Sequence, residues 1–308
     1  MFTVNHPNGL IDPLIVTTNN PRTNYFLVRA ASFKNPWIKK FLESLNLMPI
    51  YRIRDGVKQL SKNQDIFDKC FEILRNQKSL IIFPEGSHNE KRTIRALSKG
   101  FTRIVFGAID KYPDLKITII PVGITYQNVG NFPSKVALHY GKPIIANTFY
   151  NKEELNTSVN KLKEEISNQL KTLSVYIKDD ENYDKTLAKL TDANVDFTNV
   201  VNVNNSIQNK AILSNRKIVK SFIEPILRFL IIVNSFIPYL LWKKASKKVD
   251  EIEFVDTFRF ALNIVSFPIF YALQSWMISV FFGNKIAGIY FLASLCIIAL
   301  YAKLSPTQ

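Results

Sequence analysis

Leu80-Ile81-Ile82-Phe83-Pro84-Glu85-Gly86-Ser87 is a short apolar run that stops at a proline and turns polar. Apolar runs of this length, bounded by turn residues, read as buried strands. The same pattern recurs on both sides of it. Phe2–Asn5, Tyr25–Arg29, Leu47–Tyr51, Ile117–Val122 and Lys135–Tyr140 are further candidate strands. Between them, Ile66–Arg75 places Phe67, Cys70, Phe71 and Leu74 on one helical face, and Phe101–Ile109 does so with Phe101, Ile104, Val105 and Ala108. Strands alternating with helices predict an α/β fold, a mostly parallel sheet flanked by helices, over residues 1–150. In such folds the chemistry collects in the loops beyond the carboxyl ends of the strands.

The rest of the chain differs in character. Residues 151–177 carry Leu155, Val159, Leu162, Ile166, Leu170 and Leu173 at helical spacing, with Lys and Glu opposite, which predicts an amphipathic helix. Residues 178–210 are rich in Asn, Asp and Lys and read as a helical excursion or linker without chemistry, closing a middle region at 151–220. The last region, 221–302, holds three apolar stretches of about membrane-spanning length, Phe222–Trp242, Phe260–Phe282 and Ile286–Tyr301. Gly283, Asn284 and Lys285 join the last two as a tight hairpin. The first contains Glu224, Pro225, Arg228 and Pro238. It lies between Lys210, Arg216, Lys217 and Lys220 on one side and Lys243, Lys244, Lys247 and Lys248 on the other. Two basic flanks on one face of a bilayer fit an interfacial or re-entrant segment better than a single crossing.

Forty Lys and Arg against 25 Asp and Glu leave a net charge of +15 over 308 residues, which favours nucleic acid, anionic headgroups or phosphorylated substrates as partners. The apolar C-terminal region selects a membrane surface over nucleic acid. Ten glycines and 12% aromatic residues exclude collagen-like and disordered classes. Cys70 and Cys296 lie far apart, so no disulfide framework is expected. No signal peptide is visible before the first strand, and the abrupt start reads as a truncated or mis-started N-terminus.

Four short blocks could carry chemistry. Asn5-His6-Pro7-Asn8-Gly9-Leu10-Ile11-Asp12 delivers a histidine from a strand into a Pro/Gly turn, with an aspartate within reach to fix its tautomer. Phe83-Pro84-Glu85-Gly86 puts a carboxylate and a glycine at a strand end, where the carboxylate can bind hydroxyls or orient an arginine. Lys91, Arg92, Arg95, Lys99 and Arg103 follow as a basic run able to clamp a phosphate. Met48 to Gly56 places Arg52 and Arg54 past a strand end, and Ile119-Ile120-Pro121-Val122-Gly123 sets a proline in an apolar strand, at an edge or a distortion. His6, His88 and His139 sit on separate segments without metal-ligand spacing, so no metal site is expected.

Taken in chain order, the His6, Met48–Gly56, Phe83–Gly86 and Ile119–Gly123 blocks resemble those of the glycerophospholipid acyltransferase superfamily, which includes lysophosphatidate and glycerol-3-phosphate acyltransferases. The resemblance covers roughly residues 1–145. It implies that His6 and Asp12 are the catalytic pair, and that Arg52, with Arg54 as the lesser candidate, helps bind the acceptor phosphate. It also implies that Glu85 and Gly86 belong to the acceptor site, and that Pro121 lies on the acyl-chain side. Two departures stand out. Five residues separate His6 from Asp12 where the family leaves four, and His88 stands where the family has an arginine. The phosphate contact then falls to Arg92, Arg95 or His88 itself.

The implied reaction is transfer of a fatty acyl group from acyl-CoA or an acyl-carrier protein to the hydroxyl of a lysophosphatidate-like acceptor. No cofactor is needed, and the catalytic domain is expected on the cytosolic face of a membrane. Glycerol 3-phosphate as acceptor, or a catalytically silent lipid-binding membrane protein, are the alternatives.

Overall fold

Leu80 and Ile82 point to one side of their strand and Ile81 to the other, and all three are buried. A strand buried on both faces needs helices above and below it, and the chain supplies them. The computed structural model describes residues 1–52, 57–209 and 222–305; Arg54 and the basic flank from Lys210 to Lys220 lie outside them. The strands are β1 (Phe2–Val4), β2 (Asn24–Arg29), β3 (Leu47–Ile50), β4 (Ser79–Ile82), β5 (Thr118–Tyr126), β6 (Val136–Tyr140) and β7 (Ile144–Ile145).

They form one sheet in the order β3-β2-β4-β1-β5-β6, with β7 also against β5. The first five in that order pair in parallel, and β6 and β7 run antiparallel to β5. The expected α/β architecture with a mostly parallel sheet is the one the chain adopts. On one face, α3 (Asn63–Arg75), α4 (Gly100–Lys111) and α5 (Leu155–Leu173) bury Cys70, Phe71, Phe101, Ile104, Leu162 and Ile166 against Leu80, Ile82 and Ile119. On the other, α1 (Ile11–Thr18) packs Ile11, Ile15 and Val16 against Val4, Ile81, Val122 and Ile124. The sequence reading passed over α1, because eight residues with Pro13 inside and no side-chain cap carry little helical signal.

Pro121 is a correction of another kind. It does not mark an edge strand, since β5 is paired on both sides. On its outer side, however, β7 pairs with Thr118 and Ile119, while β6 pairs from Val122 onward. Pro121 falls in the gap between the two partners, where its missing N–H interrupts no ladder. Its carbonyl accepts from the Gly141 N–H at 2.8 Å.

The polar stretch after α5 is folded rather than loose. It contains α6 (Tyr183–Asp192) and α7 (Val200–Asn209), which bury Val175, Ile177, Tyr183, Leu190, Phe197, Val200 and Val203 together.

Phe222–Trp242 is two helices, α8 (Ile223–Asn234) and α9 (Phe236–Ser246), bent by 94° at Ser235. The polar groups at this break find partners on α10 (Val255–Phe282) and α11 (Asn284–Leu304). The Asn234 side-chain amide donates to Ser294 Oγ at 2.9 Å and its oxygen accepts from Tyr290 at 2.6 Å, Gln274 donates to the Asn234 carbonyl at 3.1 Å, and Ser235 and Tyr271 share a hydroxyl bond of 2.6 Å. Such closure is what a helix break requires in an apolar surround. Among the described residues, α10 and α11 are each long and apolar enough to cross a membrane, and the bent pair adds a third crossing if it is counted as one span. Only Gly283, with φ at +81°, separates α10 from α11, a backbone state that favours glycine.

Candidate active site

β1 lies between β4 and β5, so the loop leaving its carboxyl end emerges beside the loops that follow those strands. Asn5 extends the strand by proxy. Its side chain accepts from the Ile124 N–H at 2.7 Å and donates to the Ile124 carbonyl at 3.0 Å. His6 comes next, its carbonyl held by the Asn89 N–H at 2.9 Å and its ring stacked on Phe83 with centroids 4.0 Å apart. The imidazole is therefore aimed by backbone and by ring.

The His6 Nδ1 lies 2.8 Å from Asp12 Oδ2. The longer spacing does not separate the pair. Asn8, Gly9 and Leu10 turn tightly ahead of α1, and Asp12 sits in its first turn with its side chain pointing back. Asp12 is fully buried, and it also accepts from the Asn8 N–H at 2.7 Å and from the Tyr126 hydroxyl at 2.7 Å. Burial pushes the Asp12 carboxyl above the usual carboxylate range, against the downward pull of its bonds to His6, Asn8 and Tyr126. Burial, and then the neighbouring Asp12 carboxylate, push the Tyr126 phenol far above its ordinary value, so it remains a donor. With Nδ1 committed to Asp12, Nε2 of His6 is the nitrogen left to take a proton.

Glu85 and Gly86 form the adjoining turn after β4. The Gly86 N–H donates to the Phe83 carbonyl at 3.1 Å, and Gly86 has φ at +78°, where an L side chain is strained. The nearly buried Glu85 carboxylate accepts from Arg95 twice through Oε2, from its N–H and from Nε, each at 3.1 Å. Arg95 also donates to Ser87 Oγ at 3.1 Å and to the Ser87 and His88 carbonyls. Glu85 thus orients Arg95, one of the two roles anticipated for it, and Arg95 in turn pins the turn.

Arg92 is engaged with the protein itself. Its guanidinium donates to the Tyr126 and Gln127 carbonyls at 2.9 Å each and lies over the Phe197 ring, 3.7 Å from its centroid. Burial lowers its pKa to about 10, which leaves it cationic at neutral pH. It ties the segment around α6 and α7 to the end of β5.

His88 packs edge-on to His6 at 5.7 Å and against Phe254 at 4.4 Å, with Nε2 3.6 Å from Glu251. Arg52 follows β3, beyond Tyr51, whose N–H and C=O are both held by the Asn63 side chain. With β2 and β4 between β3 and β1, Arg52 leaves the sheet about 14 Å to the side of His6 at ordinary strand spacing. His6, Asp12, Glu85, Gly86, His88 and Arg95 are thus gathered together, and Arg52 stands apart on the same sheet end.

Other contributors were missed. Tyr126 lies beyond the predicted end of its strand; the alternation Val122, Ile124, Tyr126 carries the signal that would have extended it. The head of α10 could not be placed from sequence at all. Asp256 Oδ2 accepts from the Asn8 side chain at 2.7 Å and from the Gly130 N–H at 3.0 Å, and Thr257 Oγ1 accepts from the Leu10 N–H at 2.9 Å. Arg259 pairs with Asp256 at 3.1 Å and donates to the Gly130 carbonyl at 2.6 Å.

Comparison with known proteins adds an independent line. A family model described as Acyltransferase matches residues 1–125. Glycerol-3-phosphate O-acyltransferase 1 of Saccharomyces cerevisiae is 28% identical over 121 residues, 38% of this chain and 16% of that protein. Glycerol-3-phosphate O-acyltransferase 2 of the same yeast is 29% identical over 111 residues, 35% of this chain and 15% of that protein. The match therefore spans about a sixth of the length of these relatives. Among solved structures, the 1-acyl-sn-glycerophosphate acyltransferase PlsC of Thermotoga maritima aligns with a TM-score of 0.38 and 19% identity, over 56% of this chain and 66% of that one. The matched segment holds the His6–Asp12 pair and the Phe83–Gly86 turn, and it is the part of the chain that the Acyltransferase family model describes.

Proposed function

We propose that the chain is a membrane O-acyltransferase of phospholipid synthesis, moving a fatty acyl group from a thioester to a hydroxyl of a glycerol-phosphate-type acceptor. The 2.8 Å bond between His6 and the buried Asp12 carries this reading. The acceptor hydroxyl gives its proton to His6 Nε2 as its oxygen attacks the thioester carbonyl carbon. Asp12 holds Nδ1–H and stabilises the imidazolium. The tetrahedral intermediate then collapses, the C–S bond breaks, and the thiolate takes the proton from Nε2. The thioester supplies the activation, so the scheme calls on no metal or organic cofactor.

Arg52 and the exposed edge of Arg95 are the cations assigned to the acceptor phosphate, with Glu85 and Gly86 shaping the acceptor side and His88 its wall. Acyl-CoA or an acyl-carrier protein is the donor. Lysophosphatidate is the acceptor anticipated from the sequence. Glycerol 3-phosphate is a second reading, favoured by the activity for which both yeast relatives are named. The catalytic domain is assigned to the cytosolic side, because the head of α10 touches the catalytic turn and four lysines, Lys243, Lys244, Lys247 and Lys248, lie just before that helix. Incubating membranes that contain the protein with labelled acyl-CoA or acyl-carrier protein, and with either acceptor, tests the proposal. Phosphatidate formed from lysophosphatidate, or lysophosphatidate formed from glycerol 3-phosphate, decides the acceptor. Neither product from either donor would refute acyl transfer.

A further inference from the structure

Pro36–Ser44 forms a helix, α2, that buries none of its residues. It is well specified nonetheless: Asn35 caps it, accepting from the Trp37 and Ile38 N–H groups at 2.9 and 3.3 Å, and Pro36 opens the first turn. Trp37 is 82% exposed, Phe41 63%, Ile38 49%, and Leu45 just past the helix 50%. At helical periodicity these four fall within an arc of about 100°. Lys39 and Glu43 pair at 3.9 Å on the far side, Lys40 borders the apolar face, and Lys34 stands just ahead of the helix. A rigid helix showing a tryptophan and a phenylalanine to solvent, edged with lysines, has the composition of a segment lying in a headgroup layer.

The position of α2 in the fold selects the bilayer as its occupant. It follows the carboxyl end of β2, and only β4 lies between β2 and β1, whose outgoing turn is bonded to the head of the span candidate α10. About 10 Å of sheet therefore separates the departure of α2 from the point where the membrane helix meets the domain. We infer that α2 is a second, monotopic membrane contact, its face of Trp37, Ile38, Phe41 and Leu45 immersed among anionic lipids. The inference rests on the fold and does not depend on the reaction proposed above.

The test uses the full chain in vesicles of phosphatidylcholine and phosphatidylglycerol. Replacing Trp242 and Trp276 by Phe leaves Trp37 as the single tryptophan. With phosphatidylcholine brominated near the head of its acyl chains, Trp37 should lose most of its emission and resist aqueous acrylamide. Quenching by acrylamide but not by bromolipid would put α2 in water and overturn the inference. Protection from both would mean that protein covers it, a second copy or another segment, and would overturn it equally. A second variant, Phe41→Cys bearing a nitroxide with Cys70 and Cys296 replaced by Ser, reads the same depth from oxygen against nickel-chelate accessibility. A folding defect in one variant therefore leaves the other to decide.

Discussion

Asn8 donates its side-chain amide to Asp256 across 2.7 Å, joining residues 248 positions apart. Its own N–H meanwhile holds the Asp12 carboxylate. One fully buried asparagine thus links the proposed catalytic pair to the head of an apolar helix that belongs to another part of the chain.

Removing that link should disturb geometry more than binding. Asp256→Ala frees Asn8 and the Gly130 N–H together and should lower kcat by roughly ten- to a hundredfold, as misplacement of a catalytic group does. The acceptor KM should barely move, and Asp256→Asn, which keeps an acceptor oxygen, should recover part of the rate. Steady-state kinetics with both variants check this; an unchanged kcat in Asp256→Ala would show that the turn holds itself.

His6→Ala should reduce turnover by about 10²–10⁴-fold, the worth of a general base. Asp12→Asn should cost a similar share, because Nδ1 would no longer be held as a donor. Membrane association and expression should survive both, and normal activity in His6→Ala would remove the mechanism.

The two arginines should part company. Arg52→Ala is expected to raise the acceptor KM with kcat nearly intact, as loss of uniform binding does. Arg95→Ala also deprives the buried Glu85 carboxylate of its cation, at a stability cost of about 1–3 kcal/mol. Its melting temperature should therefore fall as well. A melting temperature for Arg95→Ala equal to that of the unaltered chain would mean that the Glu85–Arg95 pair does not matter to the fold.

Cys70 offers a pH test. Burial raises its thiol to about 12, whereas in the unfolded chain it ionises near 8.5. Between those values the unfolded state loses the proton and the folded state keeps it, so this contribution to stability is intact below about pH 8.5 and declines as pH rises toward 12. Cys70→Ala should flatten that part of the stability–pH curve, measured by denaturant unfolding. Disulfide reagents at pH 8 should leave Cys70 untouched until the protein unfolds; rapid labelling of the native chain would contradict its burial.

Membrane topology can be read at two engineered sites. If α10 and α11 form a transmembrane hairpin, cysteines at Ser246 and Ser305, with Cys70 and Cys296 replaced, should react with an impermeant reagent from the same side of sealed vesicles. Opposite accessibility would break the hairpin.

The six strands proposed from sequence were legible because buried parallel strands leave short, dense apolar runs such as Leu80–Ile82. The His6 and Glu85 loops followed from where those runs stop. What escaped was information stored in distant pairings. Nothing near Asp256 says that it will accept from Asn8, and nothing around Arg92 says that its guanidinium will be absorbed by the carbonyls of Tyr126 and Gln127. The helix α1 was lost for a local reason, its proline and its lack of a side-chain cap. That Phe222–Trp242 is not a plain crossing was legible in its charges and prolines, but the position of the break at Ser235 escaped, because the groups that satisfy it, on Tyr271, Gln274, Tyr290 and Ser294, come from later helices.

The hairpin beyond Gly283 has arms of unequal length, 28 residues in α10 against 21 in α11. At 1.5 Å per residue the longer arm outreaches its partner by about 10 Å, and the surplus includes Asp256 and Thr257, which bond the proposed catalytic turn, and Arg259, which pairs with Asp256. If α10 crosses a bilayer, such an arm acts as a stalk that sets the height at which His6 stands above the hydrocarbon. Height set by a rigid rod is also height set by what the rod is sunk in. Thicker bilayers would draw more of the stalk inward, so turnover measured across vesicles of graded acyl length would change with thickness if the stalk is rigid and stay level if its head floats free.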